Sequence, residues 1–258
     1  MVLYDRIGIT YDSTRRADPY LLSRLLYHLR PSRYRLHLDL GCGTGNYTSA
    51  IHRAGVRIIG VDLSALMHTR AFEKSPDVAL CRANAERLPF RAATFAGAFS
   101  TFAHHHMDDP VAAFREVART LTTGAHFVIL NSTARQTHGY WLNEYFPLAM
   151  KKAIAPFERG EAREVLRDAG FRIVCEEPYE VAGDLQDLFL YSGKHKPEMY
   201  LNPMVRAGIS AFADASDSNE VERGVAQLGA DIKSGRITDV MHSFEHDRGD
   251  YMFTVAQK

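Results

Sequence analysis

The chain has 258 residues, of which 46% are hydrophobic and 24% are charged, a composition typical of a globular protein with one substantial core. Lysine plus arginine number 31, and aspartate plus glutamate also number 31, so no net charge attracts a nucleic acid or an anionic membrane surface. We therefore expect a small-molecule partner, with no nucleic acid and no membrane.

The cysteines and the hydropathy pattern indicate the compartment. The three cysteines are isolated and odd in number, which favours a reducing environment. The N-terminal stretch lacks the apolar centre of a signal peptide, and no run reaches the roughly 18 apolar residues of a membrane span. We expect a cytoplasmic protein.

Apolar runs alternate with helical stretches in the first half of the chain, a pattern typical of a parallel sheet with helices on both faces. The predicted strands are Leu36–Leu40, Arg57–Val61, Asp77–Cys81, Phe95–Ser100 and Ala125–Asn131. The predicted helices between them are Asn46–Arg53, Ala65–Glu73 and Pro110–Leu121. Asp109 as N-cap and Pro110 at the first helical position support the last helix, which we expect to end at Thr123 and Gly124.

The second half is less regular. A helix is predicted over Tyr140–Ile154, interrupted by Pro147, and a charged helix is predicted over Glu158–Ala169. Two further strands, Phe171–Tyr179 and Asp250–Ala256, bring the predicted number to seven.

The connection between these last two strands has about 65 residues, which is far longer than usual. We expect it to form helices that face the substrate. Its polar stretch 214–219 is expected to be an exposed loop.

A glycine-rich loop joins the first predicted strand to the first predicted helix, with the sequence Asp39-Leu40-Gly41-Cys42-Gly43-Thr44-Gly45. Glycine accepts positive φ and lacks the Cβ that would hold a ligand away, and the N–H groups of a helix start favour an electron-rich partner. A nucleotide-like cofactor is the natural candidate, and a glycine-rich turn without a ligand is the alternative.

The spacing of the loop narrows the choice of cofactor. Dinucleotide-binding loops usually read G-x-G-x-x-G, whereas the third glycine here comes one residue earlier and Asp39 lies two residues before the first. An acidic side chain there repels a pyrophosphate but attracts an ammonium group. The pattern favours a zwitterionic amino-acid nucleoside over NAD.

On these residues the chain resembles the class I S-adenosylmethionine-dependent methyltransferases, whose first motif is an acidic residue followed by G-x-G-x-G. The resemblance covers roughly residues 1–175 and the final strand. It implies an α/β fold with a Rossmann-like, seven-stranded mixed sheet, helices on both faces and an antiparallel last strand. It also implies S-adenosyl-L-methionine as the cofactor, bound by Asp39, Gly41, Gly43 and Gly45.

Asp62 ends the second predicted strand, about 20 residues beyond the glycine loop. A carboxylate at that position can accept hydrogen bonds from both ribose hydroxyls of a nucleotide. The alternative is that Asp62 only caps the next helix, a role that Ser64 can fill equally well. The resemblance adds Leu63 to the predicted cofactor contacts.

After the third predicted strand, one segment resembles the family's adenine-edge segment, D-A-E-x-L-P-F, and reads Asn84-Ala85-Glu86-Arg87-Leu88-Pro89-Phe90. Asn84 replaces the commoner aspartate; its carbonyl can accept from the adenine amino group and its amide can donate to a ring nitrogen. Asn84, Ala85 and Glu86 are predicted to contact the cofactor. A simple turn before the fourth strand is the alternative.

Three consecutive histidines, His104, His105 and His106, follow the fourth predicted strand. Adjacent residues point in different directions, and no cysteine or second histidine at i+4 supports them, so we expect no metal site. Many members of the family that the chain resembles carry a His-His pair here, beside the cofactor's methyl group, which agrees with ligand binding at the carboxyl ends of the strands in open α/β sheets. The resemblance thus makes His105 and His106 candidates for orienting the substrate or removing a proton. Ser100 and Phe102, on the same strand end, are predicted to contact the cofactor. One core histidine and two exposed ones would fit the pattern equally well.

The N-terminal stretch resembles the segment that many small-molecule methyltransferases fold over the cofactor. Tyr4, Tyr11 and Arg16 are therefore predicted to line the site, with Tyr11 as a further candidate base. A surface helix with two exposed tyrosines is the alternative. A later aromatic group is expected either to wall the acceptor pocket or to belong to the core: Tyr140, Trp141, Tyr145, Tyr191 and Tyr200.

We divide the chain into a cap segment over the cofactor site (1–34), a methyltransferase core (35–180 with 246–258) and a helical insertion that serves as a substrate lid (181–245). The expected function is methyl transfer by in-line displacement to an O, N or C nucleophile of a small metabolite, with phenolic or hydroxylated acceptors favoured. The alternatives are an S-adenosylmethionine-binding protein without turnover and an NAD-dependent oxidoreductase. No pattern indicates an oligomeric state.

Overall fold

The computed structural model describes residues 8–158, 160–213 and 218–258. Its strands are β1 Leu36–Leu40, β2 Arg57–Asp62, β3 Ala79–Arg82, β4 Phe95–Thr101, β5 Leu121–Asn131, β6 Arg172–Tyr179 and β7 Tyr251–Gln257. They form one sheet in the order β3-β2-β1-β4-β5-β7-β6. Strands β1 to β5 are parallel, and β7 is antiparallel to both β5 and β6. The predicted α/β fold with a seven-stranded mixed sheet is confirmed.

Helices cover both faces of the sheet. In the part of the chain that the structure describes, they are α1 Pro19–Leu29, α2 Asn46–Arg53, α3 Ala65–Lys74, α4 Pro110–Thr120, α5 Ala134–His138, α6 Leu142–Tyr145, α7 Pro147–Glu158, α8 Ala162–Asp168, α9 Pro203–Ala207, α10 Ser210–Ala213, α11 Ser218–Ser234 and α12 Arg236–Ser243. Short 3₁₀ helices lie at Gly8–Ser13, His104–His106 and Pro197–Leu201. None of the described helices is long and apolar enough to cross a membrane.

The order of the strands fixes where a ligand can bind. The chain moves outward from β1 to β2 and β3, and then returns to place β4 on the other side of β1. At such a switch point the loops after neighbouring strands diverge and leave a crevice at the carboxyl ends. The glycine loop follows β1, Asp62 ends β2 and the three histidines follow β4, so all of these sequence features meet at one edge.

Two hydrophobic clusters, one on each side of the sheet, stabilise the fold. One packs α4 and α8 against the sheet through Phe114, Val117 and Leu166, each of which is completely buried. The other contains α1 and the aromatic group of Tyr140, Trp141, Tyr145, Tyr191 and Tyr200, none of them more than 3% exposed. The core interpretation of that aromatic group is therefore the correct one.

Helix α1 is absent from the predicted elements, although local signals for it exist. Asp18 caps its start by accepting hydrogen bonds from the N–H groups of Tyr20 and Leu21, at 2.9 and 3.1 Å, and Pro19 occupies the first helical position. The helix ends where Arg30 adopts a left-handed conformation. Its leucines face the core at helical spacing.

Three predicted boundaries are wrong for local reasons. The helix expected over Tyr140–Ile154 is interrupted at Pro147 as predicted, because Phe146 precedes a proline and leaves the helical region, but its two parts begin at Leu142 and end at Glu158. The charged helix begins at Ala162 rather than Glu158, since Glu161 and Glu164 form a capping box there.

The third error concerns the end of α4. The helix stops at Thr120 and β5 begins at once at Leu121, so Thr123 and Gly124 lie inside the strand. The pairing of β4 with β5 shifts register between Phe95 and Gly97, and Gly124 has a φ of +79°. An irregular strand start, rather than a loop, explains this glycine.

Helices α9 to α12 lie between β6 and β7, where helices were expected. Of the loop predicted over 214–219, residues 214–217 lie outside the described residues. The expectation is wrong for its last two residues, since α11 begins at Ser218.

Candidate active site

A groove lies over the glycine loop at the carboxyl ends of β1 to β4. We call it the glycine-loop groove; its volume is about 150 Å³. Its lining includes ten residues that were predicted to contact a cofactor or to act in catalysis, namely Tyr11, Gly41, Gly43, Asp62, Leu63, Asn84, Ala85, Glu86, Phe102 and His106. The structure therefore brings most of the predicted site residues into one place. Tyr4, also predicted there, lies outside the described residues.

The backbone of the glycine loop requires glycine at its first position. Gly41 has a φ of +74°, and a Cβ at this position would lie 2.4 Å from the Cβ of Ala103. The N–H groups of Gly41 and Cys42 both donate to the carbonyl of Val61, at 2.8 and 3.0 Å. These contacts hold the loop against the end of β2 and keep the floor of the groove open.

Asp62 presents a carboxylate to the groove. One oxygen accepts from the N–H of Gly43 at 2.9 Å, and the other accepts from the N–H of Ser64 at 2.9 Å. The cap of α3 is Ser64, whose hydroxyl accepts from the N–H of Met67 at 3.2 Å. The interpretation of Asp62 as a mere helix cap is thus wrong. Two backbone donors orient its carboxylate, and each oxygen can accept a further hydrogen bond from a diol.

Asn84 and Glu86 form one edge of the groove. The side-chain oxygen of Asn84 accepts from the N–H of Glu86 at 2.9 Å, and a carboxylate oxygen of Glu86 accepts from the N–H of Asp109 at 3.0 Å. The segment is therefore fastened to the start of α4. With its carbonyl used in this turn, Asn84 offers its amide N–H groups to a ligand.

Asp39 and Gly45 belong to the predicted cofactor residues but lie behind the groove surface. Asp39 is 2% exposed; one oxygen accepts from the hydroxyl of Thr48 at 2.6 Å, and the other has no hydrogen-bond partner. Burial raises the pKa of this carboxyl to about 7. Gly45 starts α2 with a φ of +71°, where a Cβ would lie 3.3 Å from that of Ala71.

Two predicted cofactor contacts, Ser100 and Arg16, are wrong. Ser100 is 1% exposed inside β4, and it is the next residue, Thr101, that faces the groove, since neighbouring residues of a strand point to opposite sides. Arg16 is exposed and lines neither cavity of the site, whereas its neighbour Arg15 lines the second one.

This second cavity, which we call the histidine cavity, has a volume of about 280 Å³ and adjoins the glycine-loop groove. Four aromatic side chains from separate parts of the chain contribute to its walls: Phe102, Phe157, Phe189 and Tyr251. Phe102 and His106 line both the cavity and the groove. The two spaces therefore meet at these two side chains.

Phe102 adopts an unusual backbone conformation at this junction. Its φ is +53°, in the left-handed region that a bulky residue rarely occupies. Its N–H donates to the carbonyl of Leu130 at 2.9 Å, and its ring packs against Phe189 with centroids 4.5 Å apart. The surrounding contacts thus hold the ring between the two spaces.

The three histidines have different environments. His104 is buried, His105 is half-buried and His106 is exposed. Burial lowers the pKa of His104 to about 4 and that of His105 well below its usual range. Among the described residues, no three histidine, cysteine, aspartate or glutamate side chains are grouped to hold a metal ion.

The N-terminal segment packs over the glycine loop. Asp12 accepts from the hydroxyl of Thr44 at 2.6 Å and from the ammonium group of Lys74 at 2.8 Å. Tyr11 lines the groove, with the guanidinium of Arg15 4.9 Å from its ring centroid. Burial raises the pKa of Tyr11, so its phenol stays protonated at neutral pH, which disfavours the role of a base.

Arg15 joins this segment to the stretch before α9. Its Nε lies 2.5 Å from a carboxylate oxygen of Asp187, and both side chains are at least 90% buried. Asp187 also accepts from the hydroxyl of Tyr47 at 3.2 Å, and the N–H of Leu188 donates to the carbonyl of Thr14 at 3.0 Å. Two distant parts of the chain are thus fastened together beside the histidine cavity.

Sequence reasoning missed Arg15, Asp187, Asn131 and Tyr251. Of these four residues, only Asn131 could have been found from the sequence, because it ends β5 and so lies at the same edge of the sheet as the histidines. The aromatic group of Tyr140, Trp141, Tyr145, Tyr191 and Tyr200, which we considered as pocket walls, lines neither the groove nor the histidine cavity.

Comparisons with known proteins show which kind of protein the chain is similar to. A family model described as "Methyltransferase domain" matches residues 38–129. The O-methyltransferase resE of Aspergillus sclerotiorum is 33% identical over 147 residues, which cover 53% of this chain and 54% of that protein. The malonyl-[acyl-carrier protein] O-methyltransferase of Erwinia pyrifoliae is 25% identical, over 78% of this chain and 79% of that protein. The chain thus spans only about half the length of the fungal relative.

A solved structure is similar over nearly its whole length. It is described as a methyltransferase from an antibiotic biosynthesis pathway of Anabaena variabilis; the TM-score is 0.83 and the identity 28%, covering 95% of this chain and 99% of that one. Together with the fold and the glycine loop, these findings show that residues 38–129 form a methyltransferase domain similar to those of the class I S-adenosylmethionine-dependent methyltransferases.

Proposed function

We propose that the protein transfers a methyl group from S-adenosyl-L-methionine, bound in the glycine-loop groove, to a small molecule bound in the histidine cavity. The single observation that carries this proposal is the junction of the two spaces at Phe102 and His106. The names of the Aspergillus and Erwinia relatives specify oxygen as the acceptor atom, so we favour oxygen over nitrogen or carbon.

The residues of the groove fit this cofactor. The two oriented oxygens of Asp62 suit the hydroxyls of a ribose, and the amide of Asn84 suits a ring nitrogen of adenine. The unpartnered oxygen of Asp39 marks a buried carboxyl beneath the loop, whose charged form an ammonium group nearby would stabilise. A pyrophosphate would be repelled there, which argues against NAD.

When bound, the cofactor supplies a methyl group on a positively charged sulfur, an already activated carbon. The protein then has to align the acceptor, exclude water and stabilise the acceptor's charge. Phe102, Phe157, Phe189 and Tyr251 supply the apolar walls that exclude water. His105 and His106 face the acceptor from the end of β4.

We further propose that residues 1–34 cap the cofactor and that residues 181–245 act as a lid for the acceptor. In support, Tyr11 lines the groove, while Phe189, Leu190 and the start of α10 line the histidine cavity. The ion pair of Arg15 with Asp187 connects these two parts. A cytoplasmic location and a small-molecule partner without nucleic acid remain predictions from the composition.

Two measurements test the proposed function. Isothermal titration with S-adenosylmethionine, S-adenosylhomocysteine and NAD should give binding of the first two and none of NAD; the reverse would support an oxidoreductase. A screen of small hydroxylated and carboxylated molecules with methyl-labelled cofactor should give labelled product. Binding without product across the panel would indicate a cofactor-binding protein without turnover, and label only on tRNA or protein would contradict a small-molecule acceptor.

A further inference from the structure

The polar groups of the histidine cavity are mainly hydrogen-bond donors. Its charged side chains are Arg15 and Lys152, the second at an exposed position on α7, and no aspartate or glutamate among the described residues lines it. Asp187, which pairs with Arg15, does not line the cavity itself. A cavity of this character favours a ligand that accepts hydrogen bonds and carries negative charge.

Asn131 determines which nitrogen of His105 carries the proton. Its amide Nδ2 lies 2.9 Å from Nδ1 of His104 and 3.0 Å from Nδ1 of His105. Its side-chain oxygen accepts from the N–H of Ser132 at 3.0 Å, which identifies the other end of the side chain as the NH₂ group. The amide therefore donates one hydrogen bond to each imidazole.

An imidazole that accepts at Nδ1 carries its proton on Nε2 when neutral. The groups around His105 favour the neutral state: His104 and His106 adjoin it, the ring of Phe157 packs on it with centroids 5.5 Å apart, and Arg15 and Lys152 line the same cavity. His105 is thus arranged to donate a hydrogen bond through Nε2, and it has no nitrogen available to take a proton.

On the basis of the proposed methyl transfer, we propose that the acceptor binds as an oxyanion, a carboxylate or an acidic enol or phenol, and that Asn131 positions His105 to donate to it. The oxygen's electron pair forms the bond to the methyl carbon while the carbon–sulfur bond breaks and its electron pair goes to sulfur. The anion and the sulfonium cation become a neutral ester or ether and a neutral thioether. No proton has to be removed, so the site needs no general base.

The tautomers of the histidines test this proposal without any turnover. In protein labelled with ¹⁵N-histidine, NMR at neutral pH should show His104 and His105 neutral and protonated on Nε2, with assignments from His104→Gln and His105→Gln. Asn131→Asp replaces the donor by an acceptor and should move the proton of His105 to Nδ1 or make the ring cationic. A proton on Nδ1 of His105 in the unaltered protein would overturn the proposal, and this result does not depend on how well the variant folds.

Matched ligands test the charge of the acceptor. With S-adenosylhomocysteine present, titration should show at least tenfold tighter binding of phenylacetate than of phenylacetamide, and of 2,4-dinitrophenol than of phenol. The first pair reports on carboxylates and the second on acidic phenols. Equal or weaker binding of both anions would overturn the proposal even if the cofactor binds, whereas failure of the cofactor itself to bind would contradict the proposed function.

Measurements of turnover distinguish a hydrogen-bond donor from a general base at His105. For any acceptor that is methylated, the rate should follow the ionisation of the acceptor rather than that of an enzyme group. His105→Gln, which keeps a donor, should retain more of kcat than His105→Phe, which we expect to lose at least tenfold. A preference for amines or ordinary phenols, or equal activities of the two variants, would contradict a donor role for His105.

Discussion

At the scale of single residues, the site contains two carboxylates with opposite surroundings. Asp62 accepts hydrogen bonds from two backbone N–H groups at the surface of the groove. Asp39, by contrast, is buried, one of its oxygens has no hydrogen-bond partner, and its pKa is raised to about 7. Hydrogen bonds to the charged form favour ionisation, and burial opposes it. We infer that Asp62 contacts the cofactor directly, and that Asp39, beneath the loop, becomes fully ionised only when a positive group lies nearby.

The first prediction concerns Asp62. Asp62→Asn removes the charge and places an NH₂ group against one of the two backbone N–H donors that orient the side chain. With one oxygen left, the side chain can no longer accept hydrogen bonds from both ribose hydroxyls. We expect at least tenfold weaker binding of S-adenosylhomocysteine by isothermal titration. Glu73→Gln, an exposed change on α3, is the matched control, and unchanged affinity in Asp62→Asn would contradict the role of Asp62.

The second prediction uses the pKa of His104. This pKa is about 4 in the folded protein and near 6.5 when unfolded, so the unfolded chain binds more protons between these values. Above pH 6.5 His104 is neutral in both states and does not reduce the free energy of unfolding. As the pH falls from 6.5 towards 4, this free energy decreases by about 3 kcal/mol in all, because only the unfolded chain takes up the proton.

Urea unfolding at neutral pH and at about pH 4.5 measures this loss. His104→Gln should lose less free energy of unfolding between the two pH values than the unaltered protein, while His28, His37 and His105, whose pKa values burial also lowers, still contribute to the loss. His138→Gln, a change at an exposed position at the end of α5, is the control. The same pH dependence in His104→Gln and in the unaltered protein would show that His104 titrates normally.

At the scale of elements, the N-terminal segment is held on both sides. Asp12 connects it to the start of α2 and to Lys74 on α3, and Arg15 connects it to Asp187. The first contact is exposed and screened by solvent, while the second is buried. The buried pair should therefore decide whether the segment stays in place.

The third prediction follows from this pair. Asp187→Ala removes the carboxylate that pairs with the buried guanidinium of Arg15, and breaking a buried ion pair costs about 3–5 kcal/mol of unfolding free energy in comparable sites. Denaturant unfolding should show this loss, and Arg15→Met combined with Asp187→Ala should recover part of it. Glu180→Gln changes an exposed carboxylate and leaves its partner Lys194 paired with Asp250, so it should cost less than about 1 kcal/mol. A loss of similar size in Asp187→Ala and in Glu180→Gln would contradict a structural role for the pair.

The fourth prediction concerns the glycine loop. Gly41→Ala introduces a Cβ 2.4 Å from that of Ala103 at a φ of +74°, so either the loop or the end of β4 must move. Gly55→Ala introduces the same kind of strain at a φ of +83°, but in open space and away from the groove. Both variants should lose about 1 kcal/mol from the positive φ, but only Gly41→Ala should lose cofactor binding, by at least tenfold in titration. Equal affinities in the two variants would contradict the assignment of the groove.

At the scale of the whole molecule, one sheet edge collects the site from distant parts of the sequence. The order of the elements, the glycine loop and the carboxylate after β2 could be predicted, because local patterns and the switch-point rule determine them. Asn131 could have been added by the same rule. By contrast, Arg15 and Asp187 are 172 residues apart, and neither side chain has a local pattern that indicates its partner. The end of α4 at Thr120 also escaped, because Gly124, which was interpreted as the stop signal, lies inside β5.

The central claim is that the glycine-loop groove binds the cofactor with its reacting end at the opening to the histidine cavity. A crystal structure of the complex with S-adenosylhomocysteine tests it most directly. We predict that Asp62 accepts from the ribose hydroxyls and that the sulfur faces the opening between Phe102 and His106. A sulfur directed away from this opening, or a ligand bound outside the glycine-loop groove, would contradict the account.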